Sequence, residues 1–330
     1  MFHARLISWA GPSSWVSEPD PLHPGKRQIV LTYPHLYFDS GFDHKMLNHP
    51  LGRQVWRWDT DAGRFVLAEK TVDMEQSGWG TEGLPITVED RLRWLTNEGE
   101  AAFRAGEYEV AVQRYEQVLA LAAAENWTPE HSQPDWPGYV RLRRAETLAL
   151  MGRSGEALAE MQAVTEDYAG DLLGELATAF LSGYGDGSAR DAPARGVAAL
   201  QTLGAGLYHY FYHEECKALC FPLEAAGILY PGAGLAAYLD AHPEMAGDAR
   251  ALQAGLREIG FPAEDVRLER DDETANGKAI ITLRLPDAPN AEEALVEWRL
   301  IRRAGRWWVA PLPVPEWPLV GGFQTQAFEP

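Results

Sequence analysis

LRWLTNEGEAAFRAGEYEVAVQRYEQVLALAA, from Leu92 to Ala123, decides the fold of the central part of this chain. It reads as two amphipathic helices joined by a tight turn at Ala105-Gly106. Apolar residues recur in the second helix at roughly the helical period. The residues on its solvent side are Glu109, Gln113, Glu116 and Gln117. One such hairpin cannot bury its own apolar face, which predicts a further copy.

A second copy follows as GYVRLRRAETLALMGRSGEALAEMQAVTEDY, from Gly138 to Tyr168. Closely packed helices leave room for little more than a methyl group at their contact points. The small residues at matching contact positions are Gly99 and Ala111 in the first hairpin, and Ala145 and Ala157 in the second. Gly106 and Gly152 mark the two turns, because glycine accepts a positive φ without strain.

These two hairpins resemble the tetratricopeptide repeat. The chain departs from the family pattern at the large first-helix residue, which is Leu95 rather than a tryptophan. The later aromatic residue is Tyr115 in one copy and Met161 in the other. The turns are 46 positions apart instead of the family's spacing of about 34, and the insertion Asn126–Pro137 predicts a loop because it contains three prolines.

The resemblance implies a concave groove, lined by the first helix of each repeat, that binds a peptide or a helix of a partner protein. The residues it places in that groove are Arg93, Asn97, Glu100, Arg104, Tyr139, Arg143 and Glu146. Relatives that clamp a chaperone tail carry basic or asparagine residues where this chain has Thr96, Glu100, Leu142 and Glu146. A mixed-charge ligand segment is therefore favoured instead. The alternative is an ordinary solvated helix face.

Composition and charge restrict the class of partner. A chain of 330 residues, 46% of them apolar, predicts two or three domains with a sizeable core. The net charge of −19 disfavours nucleic acid and anionic membranes, whose phosphates would be repelled. The most apolar run, Leu219–Leu239, is broken by Pro222, Glu224 and Pro231, so no membrane insertion is predicted.

The N-terminus bears on localisation. MFHARLISWAGPSSW, from Met1 to Trp15, lacks the sustained apolar core of a signal peptide, so the sequence as written predicts a cytoplasmic protein. Because the chain begins in a predicted strand, an upstream segment with an export signal, and with it a cell-envelope location, stays open. The chain has two cysteines and far more residues than a disulfide-stapled scaffold, so cysteine usage leaves the redox compartment open.

Residues 1–75 predict an antiparallel β-rich module. The expected strands are Leu6–Trp9 paired with Trp15-Val16, then Gln28–Thr32, then Gln54–Trp58 paired with Arg64–Ala68. The pattern RWDTDAGRFVL resembles the end of an FG-GAP propeller repeat. The acidic metal-binding run of that family is missing before the Gln28 strand, so no metal is predicted there. Asp59–Gly63 is interpreted as a hairpin turn rather than a calcium loop.

Residues 76–90 are predicted to be a linker, which ends in a helix start with Thr87 as N-cap and Asp90 three residues on. Helical repeats are predicted over 91–204, with Asp171–Leu181 and Pro193–Leu203 as a third, degenerate hairpin that caps the array. The segment GYGDG, from Gly183 to Gly187, is interpreted as the loop between those two helices.

An α+β domain is predicted over 205–317, followed by a tail at 318–330. Helical segments run to Gly260, and strand patterns follow in which Ala279, Ile281, Leu283 and Leu285 share one face after a turn at Asn276-Gly277. Leu295–Ile301 and Trp307–Leu312 are expected to form a hairpin around Ala304-Gly305. With its helices, the segment EWRLIRRAGRWWVA resembles the nuclear-transport-factor-like superfamily, which includes both enzymes and non-enzymes. The sequence therefore predicts a multidomain, mainly α protein with β structure at both ends.

No metal site or catalytic site is predicted. Four potential ligands share one helical stripe: His209, His213, Cys216 and Cys220. At a rise of about 1.5 Å per residue the outer two would lie roughly 16 Å apart, too far to share one ion, so buried structural residues are the expectation. The nucleophile-elbow, phosphate-loop and dinucleotide glycine patterns are all absent from the sequence.

The sequence favours a non-enzymatic interaction or scaffold protein without a cofactor, which binds a peptide or helix in its repeat groove. One alternative is a glycan or small-ligand binder that uses tryptophans of the β modules. Those tryptophans are Trp9, Trp15, Trp56, Trp58, Trp298, Trp307, Trp308 and Trp317. The other is an enzyme with a pocket near Tyr208, His209, Tyr210, Tyr212 and His213.

Overall fold

The structure, a computed structural model, describes residues 14–34, 50–77, 86–129, 135–211, 231–271, 276–284, 295–303 and 305–309. The chain forms two compact units, Met1–Asn97 and Glu98–Pro330, with the boundary inside the first helix. The described residues contain eight α-helices and two four-stranded antiparallel sheets. This confirms the predicted mixture of α and β structure with a sheet at the N-terminus. The finer division into five segments stays a prediction.

The first unit contains a sheet whose strands pair in chain order. They are β1 Ser14–Pro19, β2 Arg27–Pro34, β3 Pro50–Asp59 and β4 Arg64–Ser77. The predicted hairpin is confirmed by β3 and β4, in which Trp58 lies opposite Phe65. The strand predicted at Leu6–Trp9 lies outside the described residues.

Asp59 closes the turn between β3 and β4. Its Oδ1 accepts hydrogen bonds from the backbone N–H groups of Asp61 at 2.9 Å and Ala62 at 3.0 Å. Gly63 completes the turn with a φ of 62°. An aspartate that caps its own turn in this way supports the interpretation as a hairpin turn.

Helix α1, Val88–Arg104, begins at the predicted capping box. Thr87 Oγ1 accepts from the Asp90 N–H at 3.0 Å, and Asp90 Oδ2 accepts from the Thr87 N–H at 3.0 Å. Reciprocal capping satisfies two backbone donors that the helix itself leaves unpaired. Because β4 extends to Ser77, the predicted linker starts later than position 76.

The second unit continues with seven described helices, of which the first five pack against their neighbours in chain order. They are α2 Tyr108–Ala124, α3 Trp136–Leu150, α4 Ser154–Asp167, α5 Leu172–Tyr184, α6 Ala192–Phe211, α7 Pro231–Ala241 and α8 Ala249–Glu258, with a 3-10 turn at Pro243–Gly247. Gly106 and Gly152 have φ values of 74° and 77°, as the predicted turns require. The predicted helices are confirmed, and their assignment to tetratricopeptide repeats stays a prediction.

Two boundaries differ from the sequence-based expectation. Helix α3 begins at Trp136, inside the predicted loop, because proline is tolerated in the first turn, where its missing N–H is not needed. Gly183 lies within α5 rather than in a loop. A Cβ atom there would stand 2.4 Å from the carbonyl oxygen of Arg195 on α6, so the two helix backbones meet at this glycine.

The second sheet follows the helices in the same unit. Its strands, β5 Ala263–Asp271, β6 Asn276–Arg284, β7 Leu295–Arg303 and β8 Arg306–Val309, also pair in chain order. Ala279, Ile281 and Leu283 are buried, as their shared face predicts. The turn predicted at Asn276-Gly277 is wrong, because both residues are already paired with β5. The assignment to a nuclear-transport-factor-like domain stays a prediction.

Side chains of α7 and α8 bind the two edge strands of this second sheet. Asp240 Oδ1 accepts from the N–H of Trp307 on β8 at 2.9 Å. Arg257 Nε and Gln253 Nε2 donate to the carbonyl oxygen of Ala263 on β5 at 2.7 and 3.2 Å. Edge backbone groups that are satisfied within the molecule are not available to pair with another chain.

Candidate interaction surface

The side chains predicted to line a peptide groove are buried. Arg93, Asn97, Glu100, Tyr139, Arg143 and Glu146 all lie in the interior, and the side chain of Arg104 is outside the described part. Arg93 pairs with Asp90 across 3.2 Å, one turn away on its own helix. That these residues contact a peptide stays a prediction, but their side chains do not form an open surface.

Three of these residues, Glu100, Arg143 and Glu146, form a buried ion-pair group with Tyr115 of α2, called here the Arg143 cluster. Arg143 has 0% exposure and binds Glu100 with both arms of its guanidinium, Nε to Oε1 at 3.0 Å and Nη2 to Oε2 at 3.0 Å. Its third nitrogen, Nη1, donates to Glu146. The hydroxyl of Tyr115 donates to Glu100 at 2.7 Å, and the guanidinium lies 4.0 Å from the Phe103 ring centre.

The Arg143 cluster carries two carboxylates for one guanidinium. Burial works against the charge of Arg143, but Glu100 and Glu146 hold the pKa of the arginine well above its ordinary value. Burial raises the pKa of Glu146, and the nearby Glu100 carboxylate adds to this while Arg143 opposes it. Burial, together with Glu100, also keeps the pKa of the Tyr115 phenol well above 10, so the phenol retains the proton that it donates.

The Arg143 guanidinium connects α1 and α3, and the Tyr115 hydroxyl connects α2 to the same Glu100 carboxylate. Each charged group already has a partner within the protein, and bidentate contacts fix the relative positions of the two helices that supply them. Three of the residues that the sequence placed in a ligand groove, Glu100, Arg143 and Glu146, therefore form an ion-pair contact between α1 and α3 inside the protein.

The second carboxylate of the cluster, Glu146, should make the free energy of unfolding depend on pH. Because the pKa of Glu146 is raised above 4.5 in the folded state, the folded protein retains a proton in a range where the unfolded chain has lost it. The contribution of Glu146 to the free energy of unfolding therefore falls as pH rises from 4.5 through the raised pKa. We expect Glu146→Gln to remove this fall.

Urea unfolding from pH 4.5 to pH 8 measures the effect. The difference in unfolding free energy between wild type and Glu146→Gln should be most favourable to the wild type at the acid end. Matched titrations of Glu160→Gln, a half-buried glutamate on α4, serve as the control. A wild-type curve that runs parallel to the Glu146→Gln curve at every pH would contradict the inferred raised pKa.

Strand register divides the side chains of the first sheet between two faces. One face, called here the aromatic face, brings Trp15 opposite Leu31, Ile29 opposite Trp56, Trp56 opposite Leu67, and Trp58 opposite Phe65. The aromatic face therefore consists of Trp15, Ile29, Leu31, Trp56, Trp58, Phe65 and Leu67. Directly opposed aromatic and branched side chains of this kind also stabilise the strand pairing.

The aromatic face is the more exposed side of the sheet. Trp15 is 64% exposed, Leu67 45% and Trp58 43%, and the other four members are intermediate. The opposite face carries the buried centre of the sheet, where Val30 lies opposite Val55. That face also holds the charged pair of Arg53 and Glu69, 3.3 Å apart.

An antiparallel sheet usually exposes a polar face to water, whereas the more exposed face of this sheet carries seven large apolar residues. Contiguous exposed apolar residues on a soluble protein commonly mark an interaction site. The aromatic face is therefore the candidate interaction surface of the described structure.

The remaining tryptophans of the β modules are placed differently. Trp298 and Trp307 are buried in the second sheet, and Trp308 lies against Gly106, where a Cβ atom would stand 2.5 Å from its ring. Trp9 and Trp317 lie outside the described residues. Among the described residues, the exposed tryptophans thus lie on the first sheet.

The remaining predicted sites cannot be placed. His213, Cys216, Cys220 and Tyr212 lie outside the described residues, as do the side chains of Tyr208, His209 and Tyr210. Within the described ranges, no group of three potential metal ligands comes together. None of the helices in those ranges is long and apolar enough to cross a bilayer.

No protein-family model matches this chain, and it has no significant similarity to a curated protein or to a solved structure. Its function is therefore inferred from its own residues.

Proposed function

We propose that this chain is a non-enzymatic interaction protein, and that the aromatic face of its first sheet binds a partner protein. The observation that carries this proposal is the exposure of Trp15, Trp58 and Leu67 on one continuous sheet face. Burying a large apolar side chain at an interface contributes about 1.5–3 kcal/mol, so a few such residues suffice for specific binding.

The second sheet of the same molecule supports this interpretation. It has the same strand order, and its apolar residues Ile281, Trp298 and Leu300 are almost completely buried. Helix α7 packs on β7 and β8, and Gly232 lies so close to Trp298 that a Cβ atom would be 3.0 Å from the ring. One sheet thus has its apolar face covered by a helix of the chain, and the aromatic face of the other is exposed.

Binding of a peptide in the helical groove is the weaker form of the proposal. It would require buried side chains such as Arg143 and Glu146 to leave each other, which exposes charges that are now paired. A helix- or peptide-binding role is better supported on the aromatic face, because its exposed members Trp15, Trp58 and Leu67 are uncharged and can be covered without separating a buried ion pair.

Stacking of a glycan on Trp15 and Trp58 is the second candidate, favoured by the exposure of both rings. The aliphatic members Ile29, Leu31 and Leu67 favour a protein partner instead, because they offer neither a flat ring nor a polar group to a sugar.

A random peptide library displayed on phage tests the proposal. Peptides selected on the wild-type chain should bind the double variant Trp15→Ser, Leu67→Ser at least about tenfold more weakly, because two exposed contacts are lost. Val16→Ser is the matched control, since Val16 is 52% exposed on the opposite face of the same edge strand. All variants must first show the same melting temperature as the wild type.

Equal binding of the selected peptides to the wild type and the double variant would overturn the proposal. Quenching of tryptophan fluorescence by a soluble oligosaccharide, without selection of any peptide, would do the same and would establish the glycan alternative.

A further inference from the structure

The two charged side chains that the described strand positions place on the aromatic face are both basic. Arg27 and Lys70 share this face, because Arg27 alternates with Ile29 along β2 and Lys70 lies opposite Gln54 on β3. The other face carries the acidic residues of the paired strand positions, which are Glu18, Asp59, Glu69 and Asp73. In a chain with a net charge of −19, a face whose two charges are basic is a local exception.

The two basic residues flank the apolar centre of the face. Lys70 belongs to the cross-strand row of Trp15, Leu31 and Gln54, and Arg27 lies four residues before Leu31 on β2. At strand spacings of about 4.8 Å and a rise of about 3.4 Å per residue, their Cα atoms are about 17 Å apart. The row of Ile29, Trp56 and Leu67 lies between them.

A helix matches these dimensions. Its diameter with side chains is about 10 Å, so a helix lying on the row of Ile29, Trp56 and Leu67 would leave one basic residue beyond each side. Within this molecule the second sheet already binds a helix, α7, on its apolar residues. Acidic side chains on the two flanks of such a helix could pair with Arg27 and Lys70.

We propose that the aromatic face binds an amphipathic helix with an apolar stripe flanked by acidic residues. This inference rests on the proposed function, since it names the kind of partner for the same face. Arg27 is held in position for this role, because its Nε donates to Ser17 Oγ at 2.9 Å on the neighbouring strand. The apolar stripe supplies the affinity, and the two basic residues select the charge of the flanks.

Two synthetic peptides of about 18 residues provide the test. Both carry the same leucine stripe at helical spacing, one with glutamate on its flanks and the other with lysine. At low salt, the wild-type chain should bind the glutamate peptide about tenfold more tightly than the lysine peptide by fluorescence anisotropy. The preference should shrink in 0.5 M salt, which screens exposed charges.

Charge reversal supplies the matched variants. Arg27→Glu, Lys70→Glu should reverse the preference, so that the lysine peptide binds more tightly. Arg64→Glu, Arg114→Glu changes the net charge equally at residues away from the aromatic face and should keep the glutamate preference. If both double variants prefer the lysine peptide, the net charge of the chain alone sets the peptide preference, and the proposal is overturned.

The failures of this inference and of the proposed function are distinguishable. Suppose that both peptides bind the wild type equally and that Trp15→Ser, Leu67→Ser weakens the binding of both. The aromatic face then binds a helix, but the proposed preference for acidic flanks is wrong. If that double variant binds both peptides as well as the wild type, the proposed function itself fails. A short single-stranded oligonucleotide that displaces the glutamate peptide at equal concentration would show that the face reads anionic charge in general, and would also overturn the inference.

Discussion

Replacing Arg143 by methionine is expected to lower the free energy of unfolding by about 3–5 kcal/mol, the largest loss among the single substitutions considered. Arg143 is fully buried and pairs with Glu100 and Glu146, which are buried with it. Methionine has a similar length and leaves no cavity of the size that alanine would. The loss therefore arises mainly from two interior carboxylates that lose the guanidinium with which they pair.

Urea unfolding followed by circular dichroism measures this loss. Arg144→Met is the matched control on the same helix, because Arg144 is partly exposed and its partners Glu116 and Glu160 can reach water. We expect the control to lose no more than about 1 kcal/mol. Similar losses in the two variants would show that Arg143 is not the centre of a buried cluster.

Removing the whole cluster should be far less harmful than removing its centre. Replacing Glu100 and Glu146 by leucine together with Arg143→Met, and Tyr115 by phenylalanine, leaves no buried charge without a partner. Buried ion-pair groups replaced by apolar residues of similar volume are often neutral or even stabilising. The multiple variant should therefore unfold at a higher urea concentration than Arg143→Met alone.

Gly183→Ala is expected to lower the free energy of unfolding by about 3 kcal/mol, near the upper end for an overpacked site. The added Cβ atom would stand 2.4 Å from the carbonyl oxygen of Arg195 and 2.9 Å from the Cβ atom of Ala199. Because the nearest atom belongs to the backbone of α6, no side-chain rotation relieves the clash, and the two helices must separate.

Gly155→Ala is the control for this substitution. Gly155 lies in the first turn of α4 with no atom within 4 Å of an added Cβ, and its φ is not positive. There alanine should be neutral or stabilise the protein by up to about 1 kcal/mol, because it restricts the unfolded chain. Thermal unfolding measures the stability of both variants relative to the wild type. A destabilised Gly155→Ala or a neutral Gly183→Ala would contradict the packing described for α5 and α6.

Local sequence patterns predicted most of the secondary structure. The capping box of Thr87 and Asp90, the turns at Gly106 and Gly152, and the hairpin of β3 and β4 each depend on residues close together in the chain. Their chemistry is therefore present in the sequence itself. The helices from α1 to α6 follow in the same way from the period of their apolar residues.

The sequence-based predictions were wrong where a distant part of the chain determines the local structure or the burial of a residue. Gly183 was interpreted as a loop residue, since glycine weakens isolated helices, yet it lies in α5 because the backbone of α6 approaches it. The resemblance to the tetratricopeptide repeat takes Leu95 as the large residue of the first helix. The structure instead buries Trp94 completely and Leu95 only in part.

The sequence by itself determined most of the helices and strands among the described residues, because hydrophobic period, caps and turn residues act over a few positions. It also indicated that Trp15, Trp56 and Trp58 lie in strands. Only the tertiary structure decided that these tryptophans share an exposed face, because a face is set by strand register, and a slip of one residue would turn each side chain to the other side. Likewise, only packing could bury Arg143, since a lone arginine is ordinarily exposed and becomes buried here by meeting Glu100 from another helix.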